Sequence, residues 1–113
     1  MICPNCNTEA TMKTLARLMV DTDERSKNFS AWLRCQKCGA CYYGATEEYW
    51  FDDDFIFSLY EVQEVAGWEK TLADALRCPQ KDDPNCQCTA HTHPSERKGK
   101  LIHWQPTYYL DYK

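Results

Sequence analysis

Apolar positions between Thr11 and Val20 (Met12, Leu15, Leu18, Met19 and Val20) fit neither a clean alternation nor a clean helical stripe. Their place just after a tight cysteine turn favours a strand. Asp21 to Asn28 is a polar turn, Phe29 to Arg34 returns as a second strand, and Gly39 to Gly44 forms a third. Phe55 to Val62 alternates and is rich in aromatic and β-branched residues, the signature of a fourth strand. Ala66 to Arg77 reads as a short helix: Trp68, Leu72, Ala75 and Leu76 share a face, and Pro79 stops it. Leu101–Trp104 and Thr107–Tyr112 are strand-like and either pair as a terminal hairpin or add to a sheet edge. The pattern predicts an α+β fold dominated by strand, with one unit over 1–44 and a second over 45–113 packed on it.

Composition sharpens this picture. A chain of 113 residues is small enough that a metal or disulfide staple commonly supplements the hydrophobic core. Eight cysteines are more than average composition supplies. No basic-then-apolar leader precedes Cys3, and no apolar run approaches the about 18 residues of a membrane span. A reducing, cytoplasmic setting is therefore expected, in which clustered cysteines bind metal rather than each other.

Two C-x-x-C pairs carry the strongest chemistry. Cys3-Pro4-Asn5-Cys6 and Cys35-Gln36-Lys37-Cys38 are separated by 28 residues. Two intervening residues let the chain turn and aim both sulfurs at one point, and two such knuckles close a tetrahedral zinc site. The residue after a knuckle favours a left-handed backbone; Gly39 supplies it, and Asn7, at the matching position, is the residue after glycine that best tolerates it. Over about residues 1–44 this arrangement resembles the zinc-ribbon family. The resemblance implies a three-stranded unit holding one Zn2+ on Cys3, Cys6, Cys35 and Cys38. It implies little about activity, because ribbons serve in transcription, translation, enzyme lobes and adaptors alike. Cys41, three residues beyond, is expected to be a small apolar side chain on the third strand.

A second cluster follows the helix. Cys78, Cys86, Cys88, His91 and His93 lie within sixteen residues. Cys78, Cys86, Cys88 and His91 make a second zinc ligand set, in which Cys86 and Cys88, two apart on extended chain, face one ion. One rival set replaces Cys78 with His93, and another leaves the loop without metal. His103, inside an aromatic strand, reads as packed or exposed rather than ligating. Two filled sites would take the formal charge from −4 to about −7.

Function is less legible. Glu47-Glu48-Tyr49-Trp50-Phe51-Asp52-Asp53-Asp54 mixes three aromatics with five carboxylates, either a solvated loop or a docking surface for a partner protein with a basic face. No nucleophile elbow, phosphate loop or metalloprotease helix occurs, and zinc-bound thiolates are unavailable as nucleophiles. The leading expectation is a non-enzymatic adaptor, accessory subunit or inhibitor. A nucleic-acid-associated ribbon using Lys13, Arg17, Arg25, Lys27, Arg34 and Lys37 is the second reading, weakened by the acidic net charge. A hydrolase at the His91/His93 loop is the third.

Overall fold

The computed structural model describes residues 2–49, 55–92 and 101–107, with 55, 92 and 101–107 considered as backbone. Five strands, β1 (Met12–Thr22), β2 (Ser26–Cys35), β3 (Cys41–Tyr49), β4 (Phe55–Glu61) and β5 (Leu101–Thr107), form one antiparallel sheet in the order β1-β2-β3-β4-β5. Helix α1 (Val65–Leu76) and the single turn α2 (Thr89–Thr92) lie between β4 and β5 in the chain. The α+β class expected from the pattern is the observed one. Among the described residues no helix is long and apolar enough to cross a membrane.

The first hairpin is closed by its own chemistry. Asp23 Oδ1 accepts from the backbone amides of Arg25 (2.7 Å) and Ser26 (2.8 Å), which fixes the turn and holds the carboxyl below its ordinary range. Amphipathic ambiguity in β1 has a structural cause. Pairing with β2 runs Met12↔Cys35 and Thr14↔Leu33, then resumes at Ala16↔Trp32, so Leu15 is an extra residue in a bulge. A second irregularity lies between Met19 and Asp21. Because side chains alternate across a strand, the bulge transfers β1 from one face of the sheet to the other.

Each face carries a core. On one, Met12, Ala31, Leu33, Tyr42, Phe57 and Leu59 pack with Cys3 and Cys35. On the other, Ala16, Leu18, Trp32 and Tyr43 meet Trp68 and Ala75 of α1, with Cys78, Cys86 and Ala90 beside them. Trp32 and Tyr43 sit edge to face at 6.4 Å. Hydrogen bonds fix the helix: Trp68 Nε1–H donates to the Tyr42 carbonyl at 3.0 Å and Trp32 Nε1–H to Thr71 Oγ1 at 3.0 Å. The buried face of α1 thus runs through Trp68, Thr71 and Ala75, while Leu76, expected on that face, is 54% exposed at the helix end. Indole donors inside an apolar layer need acceptors, and Thr71 supplies one where leucine could not.

Gly44 sits where the first core is tightest. It pairs with Ala31 on one side and Leu59 on the other, and a Cβ built there would lie 2.7 Å from Leu33 Cδ1 and 3.4 Å from Phe57 Cε1. Leu33 and Phe57 are both buried, so neither has room to retreat. Gly44→Val is expected to lower stability by about 1–3 kcal/mol through overpacking, read as a shift in the denaturant midpoint at unchanged slope.

Candidate metal centres

The two knuckles are built alike. In the first, Asn7 N–H donates to the Cys3 carbonyl at 2.8 Å and Cys3 N–H to the Thr8 carbonyl at 3.0 Å. In the second, Gly39 N–H donates to the Cys35 carbonyl at 3.0 Å and Cys35 N–H to the Ala40 carbonyl at 2.9 Å. Asn7 (φ 56°) and Gly39 (φ 77°) are both left-handed, as the spacing predicts. Gly39→Ala should therefore cost about 1–2 kcal/mol of stability in a denaturant titration, whereas Asn7→Gly relieves strain at the matching position.

Cys3, Cys6, Cys35 and Cys38 place their sulfurs within 4.8 Å of one another. Cys3 and Cys38 sulfurs are 3.7 Å apart, and those of Cys6 and Cys35 are 3.9 Å apart. A disulfide requires about 2.05 Å, and all eight cysteines are free. Metal–sulfur bonds of about 2.3 Å in a regular tetrahedron place sulfurs about 3.8 Å apart, so the observed spacing is that of a metal shell. These residues fit a tetrahedral thiolate-bound ion without rearrangement.

Polar donors surround the sulfurs. Tyr42 Oη lies 3.5 Å from Cys3, Asn5 Nδ2 donates to Cys38 at 3.4 Å, and the Thr8 hydroxyl lies 3.2 Å from Cys6. Burial pushes the Cys3 thiol up, but the Cys6 amide, the Tyr42 hydroxyl, the Asn5 amide and the Cys35 thiol outweigh it and bring it to about 6. The Asn5 side chain, with the Ala40 amide, holds Cys38 below its ordinary value, whereas burial raises Cys35. One thiol in such a group ionises first and its charge holds protons on its neighbours, until a cation replaces them all. Tyr42 is raised by burial and by the facing Cys3, so it stays a hydroxyl donor.

The second group is Cys78, Cys86, Cys88 and His91, whose ligand atoms also lie within 4.8 Å of one another. Cys78 and Cys86 sulfurs are 3.8 Å apart, again a tetrahedron edge, and His91 Nδ1 lies 3.3 Å from Cys78 and 3.1 Å from Cys88. Cys78 follows α1, Cys86 comes after the turn in which the Asn85 amide donates to Asp83 Oδ1 (2.9 Å), and α2 brings His91 round to Cys88. Burial pushes Cys78 up to about 11, with the Cys88 and Cys86 thiols adding to it. Burial also raises Cys88, but the ring and amide of His91 and the two neighbouring thiols bring it to about 6. With Nδ1 turned to the sulfurs, His91 Nε2 faces the Met19 carbonyl at 3.1 Å, the outer hydrogen bond that orients a ligating imidazole.

All eight residues named from the sequence as ligands therefore fall into two four-donor groups. Cys41 stands outside both, its sulfur 3.7 Å from Arg34 Nη2 and packed at the edge of the helix-side core. His93, Asp52, Asp53 and Asp54 lie outside the described residues, as does the side chain of His103. Sequence reasoning did not find the outer partners Tyr42, Asn5, Thr8 and the Met19 carbonyl. Their roles depend on cross-strand register, which short local spacing does not carry. Comparison of the chain with protein-family models, with curated proteins and with solved structures gives no match. The case for metal thus rests on the residues and their geometry.

Proposed function

We propose that this chain is a non-catalytic protein-interaction module, stapled by one structural zinc ion in each Cys/His group, and that its N-terminal half is built as a zinc ribbon. The single observation that carries the reading is the closure of both four-donor groups at tetrahedral spacing. Thiolate and imidazole donors in a tetrahedron favour zinc. Four protein ligands leave no position for a substrate or water, and three or four thiolates make the metal a poor Lewis acid. Both ions are then staples, and hydrolysis at the second loop has no open site.

Charge favours a protein partner over nucleic acid. The cations do not gather on one face. Lys13 and Arg34 are register neighbours on the helix side, where the Arg34 guanidinium lies 5.2 Å from the Trp68 ring. Arg17 is on the opposite face, 3.6 Å over the Phe29 ring and ion-paired with Glu48. Filling both sites with zinc brings the net charge to about −7. A basic partner surface meeting the acidic aromatic segment is the complementary arrangement, in a reducing cytoplasmic setting.

Native mass spectrometry with elemental analysis should find two zinc ions per chain; one or none overturns the two-metal reading. Capture of a partner from the source cell should be lost on charge reversal of Asp52, Asp53 and Asp54. Retained capture removes the acidic segment as the docking face. Salt-sensitive binding to random DNA or RNA at low ionic strength would favour the nucleic-acid reading instead.

A further inference from the structure

Met19 faces Phe29 across the β1–β2 ladder, and β1 is the first strand of the sheet order. Its backbone groups are both turned to the outer edge, as in a non-hydrogen-bonded antiparallel pair. The loop that carries the second metal group takes both of them. Met19 N–H donates to the Lys81 carbonyl at 2.8 Å, and the Met19 carbonyl lies 3.1 Å from His91 Nε2. The loop is held to the helix as well, since Lys81 Nζ donates to the Leu76 carbonyl at 3.4 Å.

The two groups differ in how much structure separates their ligands. Cys3 and Cys38 enclose the whole β1–β2 hairpin, and Cys3 and Cys35 are buried in the core of one face, so opening the first group disturbs that core. Cys78 and His91 enclose a loop and one helical turn, which can lift away with every strand in place. Local openings of this kind cost less than global unfolding.

We infer that the second group is a metal-dependent latch on the β1 edge, a step that rests on the reading that both groups hold an ion. Metal on Nδ1 leaves the one imidazole proton on Nε2, where it is donated to Met19. Coordination and edge covering are thereby coupled through one ring. Loss of that ion frees residues 78–91 from the strand while the first group and the β2–β4 ladders persist. Occupancy of the second site thereby decides whether that stretch of the β1 edge is covered or open.

The test is a graded chelator titration of the full zinc-loaded chain, followed by native mass spectrometry and residue-resolved amide exchange. In the singly loaded species the Met19 amide should exchange about a hundredfold faster or more, with β2–β3 amides unchanged. Simultaneous departure of both ions, or an unchanged Met19 amide in the singly loaded chain, overturns the latch. A chain that never takes up a second ion overturns the two-metal reading, and the latch with it.

Discussion

Cys35→Ser is expected to leave the chain without a cooperative fold at 25 °C, even in excess zinc. Cys35 is 1% exposed, ends β2 opposite Met12, and belongs both to the first metal group and to the core of that face. Structural zinc binding in small folds is worth about 10–16 kcal/mol, whereas the net stability of a domain is about 5–15 kcal/mol. Losing about half of the metal contribution therefore exceeds what most domains hold in reserve. The serine also leaves a hydroxyl in an apolar layer. Circular dichroism melts and the thiolate charge-transfer band of a cobalt-substituted sample read the two effects separately. Cys41→Ser is the matched control, since Cys41 lies outside both groups, and should move the melt little. A Cys35→Ser protein that melts cooperatively near the parent temperature would show that the first group is not the staple.

Trp68→Ala is expected to cost about 3–5 kcal/mol and to undock α1 from the sheet. Trp68 is 0% exposed and fills the space between the helix and Tyr43 on the helix-side core. Its Nε1–H bond to the Tyr42 carbonyl is lost as well, which strands a buried acceptor at a further cost of about 1–3 kcal/mol. Trp68→Phe separates the two contributions, because it keeps most of the ring and loses only the donor. Guanidinium titrations of the pair, with near-ultraviolet dichroism following the Trp32–Tyr43 contact, give the measurement. Equal losses for both variants would assign the effect to the hydrogen bond rather than to the cavity.

The knuckles were legible because their requirements are local. Two sulfurs three residues apart and a left-handed residue after them are set by the geometry of one turn, and Asn7 and Gly39 carry that requirement in their identities. Strand limits were less so. β3 runs to Tyr49, not Gly44, because Ala45 to Glu48 find ladder partners on both β2 and β4, and no window of that polar sequence records two neighbours. The C-terminal strand was expected to break between Trp104 and Thr107. It instead runs unbroken through Pro106, which pairs with Ile56 and lies in β5, the last strand of the sheet order, the kind of position at which a strand tolerates proline. Residues 108–112 lie outside the described residues. The outer partners of the metal groups were silent for a different reason: a carbonyl such as that of Met19 has no residue identity to read.

The extra residue at Leu15 changes what length means in β1. Upstream of it the strand gives Met12 to one core; downstream it gives Ala16 and Leu18 to the other. Between these points the chain counts by parity. An insertion or deletion there is a change of side, sending Leu18 toward the face that Arg17 now occupies. The same edit in the hairpin turn at Asp23–Arg25 would alter only a loop. In its descendants, this chain should vary in length at the tip of the first hairpin and hold its count between Met12 and Leu18.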